Sequence, residues 1–382
     1  MNMTSRERIL AALDHREPDR IPIDLSGHQP KIVPQAGVGH GGNARGVPKK
    51  PVRVYDPIQQ LAIVDEDVLR LFRVDTIELG RAFAQEDECW TDWVLPNGVP
   101  CLMPIWANPE HSNGGWVFRS RPKYQVIARM PANVRYFEQT NFPFLEHEEL
   151  DRLEEEMAEC MWTAIAPPGP IIAGPDGKRV AAEAARKLRQ QTDRAIIGLF
   201  GGNLLELGQW FYRTDNFFML LAGEPQQAHC FLDRLMEIHL RNLDVFLRTV
   251  APYIDVILFG DDLGMQTGPQ VSPAMYREFF KPREHLMWRL VKQRAPQLKI
   301  LLHCCGGVRE LLPDLIDLLA PVINTRLPLN SVVVIGKLLK DSRLYRAALS
   351  VWFRRFFQSS FAVSYIATTF AGGTSAKMLC TC

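Results

Sequence analysis

Val256-Ile257-Leu258-Phe259-Gly260-Asp261-Asp262-Leu263-Gly264 reads as a short apolar strand running out into a glycine and two adjacent carboxylates, and its neighbours decide the fold. Before it, Pro225 to Val250 puts Phe231, Leu235, Ile238, Leu243 and Phe246 on one helical stripe. Further back come a strand at Ala195 to Phe200, a helix from about Asn203 and a helix over Lys178 to Gln191. After it, Ser272-Pro273 is a cap with proline at the first helical position. That helix runs to about Phe280, where Pro282 should kink or end it before a second stretch to Arg294. A strand at Lys299 to Leu302 and a helix over Val308 to Leu319 complete the series. Strands alternating with helices predict an α/β chain with a parallel sheet and crossover helices. Periodicity alone leaves open a closed barrel or a doubly wound sheet.

The N-terminal third is less regular. Thr4-x-x-Glu7 has capping-box spacing, and Ile9, Leu10 and Leu13 line one face of a helix ending before Pro18. A strand over Arg20 to Leu25, a helix over Leu61 to Phe72 and a strand over Asp75 to Leu79 are expected next. From Cys89 to Pro131 short runs broken by Pro96-Asn97-Gly98 and Asn113-Gly114-Gly115 predict a small antiparallel excursion of hairpins. Glu148 to Ala164 reads as a helix. Two stretches break the pattern. Ser26 to Tyr55 has no acidic residue and is crowded with glycine and proline, as a loop would be. Val322 to Cys382 holds one acid, Asp341, against eight bases.

The 382 residues, 47% apolar and 23% charged, have ordinary globular composition, and a net charge of +1 argues against bulk binding to nucleic acid or anionic membrane. Arg6, Glu7, Arg8 and Asp14 interrupt any secretory apolar core, and eight irregularly spaced cysteines suggest thiols or ligands rather than a disulfide framework. A cytoplasmic protein is expected. Phe356 to Ala376 is long enough to span a bilayer, but its serines, threonines and glycines make it too polar.

Chemistry concentrates at strand ends. In Leu301-Leu302-His303-Cys304-Cys305-Gly306-Gly307, alternation puts His303 and Cys305 on one face and Cys304 on the other. Imidazole and thiolate are good zinc ligands; the alternative is a half-buried histidine beside small apolar cysteines. Asp261 and Asp262 could bind a cation, orient a ligand or move a proton, or could simply serve helix capping and turn chemistry. Gly198-Leu199-Phe200-Gly201-Gly202-Asn203 could approach an anion or pack strand against helix closely. Asn203 and Glu206 are candidate substrate contacts; Gln209 and Tyr212 lie along the same helix. His28, at the end of the first expected strand, could face the same site as His303. His111, His147, His229, His239 and His285 have no partner at ligand spacing and receive no role.

Thr4-Ser5-Arg6-Glu7-Arg8-Ile9-Leu10-Ala11-Ala12-Leu13, followed by His15-Arg16-Glu17-Pro18-Asp19-Arg20-Ile21-Pro22, resembles the opening of the uroporphyrinogen decarboxylase superfamily, in the branch related to cobalamin-dependent methyltransferases. Gly260 to Gly264, Ser272 to Pro282, and His303 to Gly307 with Arg309-Glu310-Leu311 agree with it. The resemblance covers residues 1–324 and implies a (β/α)8 TIM barrel, with 26–55 an atypical loop, 89–131 a hairpin insertion, and a pocket at the carboxyl ends of the strands. True decarboxylases of this family carry an Arg-Gln-Ala-Gly-Arg segment whose arginines hold substrate carboxylates. Here the corresponding residues are Pro22-Ile23-Asp24-Leu25-Ser26-Gly27-His28.

His303-x-Cys305 instead looks like the zinc pair of methylcobalamin:coenzyme M methyltransferases. In those enzymes a cysteine from a later strand is the third ligand, and zinc makes a thiol reactive toward a cobalt-bound methyl group. Beyond Asn324 the last strands implied by the resemblance are not legible. With the loss of acids, this points to a shifted reading frame or replaced terminus and to a barrel incomplete at its C-terminal end, residues 325–382 being an atypical tail.

The leading expectation is therefore methyl transfer from a methylated corrinoid, free or protein-bound, to a small thiol. His303 and Cys305 would hold zinc, with Asp261 and Asp262 as catalytic positioning groups. The alternatives are decarboxylation of a carboxylated tetrapyrrole, as in porphyrin biosynthesis, and a non-catalytic corrinoid- or tetrapyrrole-binding relative.

Overall fold

Helix α1, Ser5–Leu13, starts where the sequence caps it: Thr4 Oγ1 accepts the Glu7 N–H, and the Glu7 carboxylate accepts the Thr4 N–H at 2.8 Å. The structure, a computed structural model, describes residues 2–14, 16–25, 51–83, 86–96, 98–165, 176–319 and 332–336. His28, most of the glycine-rich stretch and the Phe356 to Ala376 run lie outside them. No helix among the described residues is long and apolar enough to cross a membrane.

Several expected elements differ in extent. Arg20 to Leu25 forms no strand. The Ile23 carbonyl takes the Asp75 N–H, but the Ile23 N–H goes to the Asp75 side chain at 2.8 Å, so a side chain stands where a ladder partner would be. Strand β1, Val52–Asp56, pairs antiparallel with β2, Leu61–Ala62. The end of the expected 26–55 loop is thus a strand, and the helix expected over Leu61 to Phe72 shortens to α2, Glu66–Leu71. After β3, Thr76–Glu78, the hairpin excursion comprises β4 (Trp90–Val94), β5 (Pro100–Pro104), β6 (Glu110–Ser112), β7 (Gly115–Arg119), β8 (Val126–Met130) and β9 (Glu138–Gln139). With β1 and β2 these make two four-stranded sheets, β2-β1-β5-β4 and β6-β7-β8-β9. Asn113 and Gly114, both at positive φ, close the β6–β7 hairpin as a two-residue turn requires.

The helix expected over Glu148 to Ala164 is broken into short turns. Cys160 is extended, its thiol 3.2 Å from Gln139 Oε1, and the neighbouring Glu159 carbonyl accepts Asn141 Nδ2. Bonds to the β excursion hold the break open.

The alternating half follows the expected order: α3 (Gly177–Gln191), β10 (Ala195–Gly201), α4 (Leu205–Tyr212), α5 (Thr214–Gly223), α6 (Pro225–Val250) and β11 (Val256–Gly260). Ser272 caps the next turn, accepting the Met275 N–H. A π turn over Tyr276–Phe280 then leads into α7, Lys281–Arg294. The widened turn accommodates Pro282, which has no N–H and would crowd the preceding turn of a straight helix. Strand β12 (Lys299–Cys304), α8 (Leu312–Leu319) and β13 (Val332–Gly336) follow. The sheet order is β13-β12-β11-β10-β3, parallel throughout. β13 lies beyond Asn324, where the sequence pattern left the last strands illegible. Five parallel strands with crossover helices are consistent with part of a TIM barrel.

The sheet separates two apolar clusters. Ile257, Phe259, Ile300, Leu302 and Cys304 face the main core among the helices. Val256, Leu258 and Leu301 face a small cluster that includes Leu13 of α1. Alternation thus assigns Cys304 to the helix side and His303 to the side of Leu301.

Two buried carboxylates hold the amino ends of the strands. Asp75, just before β3, pairs with Arg8 and Arg20; Asp255, just before β11, pairs with Arg6 and Arg189.

Candidate active site

The opposite, carboxyl ends of β11 and β12 lie side by side because Gly260 is in register with His303. The chain leaving β11 carries Asp261 and Asp262, and the chain leaving β12 carries Cys305. Cys305 Sγ lies 3.3 Å from His303 Nε2. Asp262 Oδ1 lies 3.7 Å from the same nitrogen and accepts the Cys305 N–H at 2.7 Å. One ligand atom from each of the three falls within 4.8 Å of the others, and all three residues are half-buried. Zinc bonds of ~2.0–2.3 Å in a tetrahedron require donors roughly 3.3–3.6 Å apart. The histidine–cysteine and histidine–aspartate separations bracket that range, and the nitrogen, sulfur and oxygen donors are types that zinc accepts.

Cys304 takes no part. It is buried on the other face, where its sulfur accepts the Leu263 N–H at 3.3 Å, and burial pushes its thiol far above the usual range.

The adjacent aspartates do different work. Asp261 is buried and turns toward α4, where its two oxygens accept the N–H groups of Leu204, Leu205 and Glu206 at 2.8–3.0 Å. It is a helix cap supplied by a neighbouring strand. Burial and the Asp262 charge push its carboxyl up to about 6, while the three N–H donors pull the other way. Because these donors at the start of α4 are taken by Asp261, the glycines before the helix serve close packing rather than an anion. A Cβ on Gly202 would sit 3.2 Å from Met287, Phe200 and Phe259.

Glu206 and Asn203 do converge on the cluster. Glu206 Oε2 accepts Asn203 Nδ2 at 2.5 Å and the Asp262 N–H at 3.0 Å. Burial, then the charges of Asp262 and Asp261, raise the Glu206 carboxyl well above the ordinary range. Gln209, one turn along α4, donates to Gln270, which donates in turn to the Asp262 carbonyl.

Two supporting residues, His239 and Gln270, carry no functional signal at ligand spacing in the sequence. His239 Nε2 is 3.0 Å from the Asn203 carbonyl, and burial pushes its imidazole down to about 4. It is therefore neutral and donates from Nε2, bracing the β10–α4 turn. The signal was available, since His239 lies four residues from both Leu235 and Leu243 on the apolar stripe of α6. Gln270 lies in a loop, where periodicity says nothing.

The two strand-end loops touch through glycines. Gly306 has φ +82°, and a Cβ there would lie 2.3 Å from the Gly264 carbonyl carbon. Gly306→Ala should cost roughly 1–3 kcal/mol through backbone strain and displace Cys305 from His303. Urea unfolding and zinc titration check this; unchanged stability and zinc affinity would show that the loops do not need this contact.

A parallel sheet with crossover helices defines the class, an α/β protein, and the polar donors gathered at the carboxyl ends of its strands form a candidate site where such folds place ligands and catalysis. The uroporphyrinogen decarboxylase (URO-D) family model matches residues 163–329, a span carrying β10, β11, β12 and every described candidate residue. This match supports the URO-D superfamily, whose members are usually enzymes. No curated protein matches the chain.

Proposed function

We propose that this protein is a zinc-dependent methyltransferase of the URO-D superfamily, passing a methyl group from a methylated corrinoid to a small thiol. The observation that carries this reading is the 3.3 Å approach of Cys305 Sγ to His303 Nε2 at the open end of β12. The decarboxylases of this family hold substrate carboxylates with arginines of an N-terminal segment, where this sequence reads Pro22-Ile23-Asp24-Leu25-Ser26-Gly27-His28, and the strand-end cluster offers a nitrogen, a sulfur and a carboxylate instead. When bound, zinc supplies Lewis acidity that lowers the pKa of an incoming thiol into the physiological range. His303 and Cys305 would hold it. The chain's further contribution is rigidity: Glu206 and Gln270 fix the backbone of Asp262, and Asp262 fixes that of Cys305. In the transfer, the thiolate sulfur bonds to the methyl carbon as the carbon–cobalt bond breaks. The bonding pair stays on cobalt, and the thiol's proton passes to solvent.

The test is incubation of the zinc-loaded full chain with methylcobalamin and a series of small thiols, following corrinoid absorbance and thioether formation. Thiol-dependent demethylation that falls to background in Cys305→Ala is expected. Inertness toward methylcobalamin, together with loss of carboxylate groups from a supplied uroporphyrinogen, would overturn the reading in favour of decarboxylation.

A further inference from the structure

We infer that Asp262 is the third protein ligand of this metal centre, making it a nitrogen–sulfur–oxygen site complete within residues 262–305. The inference rests on the zinc reading above and goes beyond it. Sequence resemblance places the third ligand on a cysteine of a later strand, and after Cys305 the chain offers only Cys380 and Cys382. The structure brings a different donor to the place. Asp262 Oδ1 is beside His303 Nε2, and the Cys305 N–H that it accepts ties the two strand-end loops together.

The residue is clamped on both sides. Its N–H is held by Glu206, which Asn203 holds in turn, and its carbonyl is held by Gln270, which Gln209 holds. These contacts fix the backbone from which the Asp262 carboxylate projects, and the Cys305 N–H on Oδ1 orients the carboxylate itself, limiting the freedom lost on binding. The neighbours are excluded: both oxygens of Asp261 are engaged by α4, and Cys304 points into the helix-side core. One thiolate and one carboxylate neutralise a dication, as two thiolates do. Replacing a thiolate by the harder carboxylate leaves a borderline donor set suited to Zn(II) and Co(II), with a position open for a thiol substrate.

The experiment compares zinc affinity, by competition with a chromogenic chelator, across full-length variants. Asp262→Asn keeps an oxygen for the Cys305 N–H and removes the charge. It should leave the unfolding temperature of the metal-free protein unchanged and weaken zinc binding at least tenfold. Asp262→Cys should retain zinc and, loaded with Co(II), show a stronger sulfur-to-cobalt charge-transfer band than the parent. A double Cys380→Ser/Cys382→Ser variant should bind zinc as the parent does. Parental affinity in Asp262→Asn, or loss of zinc in the double serine variant, would overturn the inference while His303→Ala and Cys305→Ala still lose zinc. Parental binding in those two alanine variants would sink the zinc reading itself.

Discussion

Replacing either His303 or Cys305 by alanine is expected to take the protein from near one zinc per chain to almost none, while Cys304→Ala keeps its metal. The expectation follows from strand geometry. Residues 303 and 305 share a face, and their ligand atoms lie 3.3 Å apart, whereas residue 304 is committed to the core among the helices. Removing one protein donor from a site with few leaves a metal held mainly by water, which a chelator captures. A second readout accompanies the first, since a ligand bound only by the folded state stabilises it by about 2.7 kcal/mol at a hundredfold excess over Kd. Chelation should therefore lower the melting temperature of the parent and of Cys304→Ala, and leave that of the two ligand variants unmoved. Elemental analysis of protein purified without a metal-affinity tag provides the count. Equal zinc in all three variants would refute the strand-face argument, and a metal-free, folded parent would favour the decarboxylase reading.

What the sequence made legible was what periodicity encodes. The parallel order of β10, β11 and β12, the cap at Ser272 and the opposed faces of His303 and Cys304 follow from local pattern. Pairing was less accessible. Leu61 and Ala62 open an apolar run that reads as helix, and their pairing across the hairpin with Asp56 and Val54 makes them a strand. Val332–Gly336 is an unbroken apolar run beside β12, obscured by the unusual composition around it. The division of labour between Asp261 and Asp262 could not be read at all. Adjacent residues of one type differ only in what surrounds them, and the start of α4, more than fifty residues earlier, is what claims Asp261.

Asp75→Ala should destabilise the fold by about 3–5 kcal/mol without touching the zinc site. The Asp75 carboxylate is fully buried. Oδ1 pairs with Arg8 at 2.6 Å, both oxygens bond Arg20 at 2.7 Å, and Oδ2 accepts the Ile23 N–H. Arg8 is itself only 7% exposed, so removing its partner leaves a guanidinium buried with Asp19 alone to neutralise it. An unpaired buried charge is costly because the low-dielectric surroundings replace little of the lost hydration. The Ile23 N–H loses its acceptor as well. The loss should respond weakly to salt, since buried pairs are poorly screened. Asp75 lies at the amino end of β3, whereas the candidate ligands lie at the carboxyl ends of β11 and β12, the division between stability and function usual in parallel α/β folds. Urea unfolding, run with chelator present so that zinc does not contribute, measures the cost. Zinc content of the folded fraction should remain that of the parent. A destabilisation below about 1 kcal/mol would show that Arg8 finds another partner or water, and loss of zinc from folded protein would show that the two ends of the sheet are not independent.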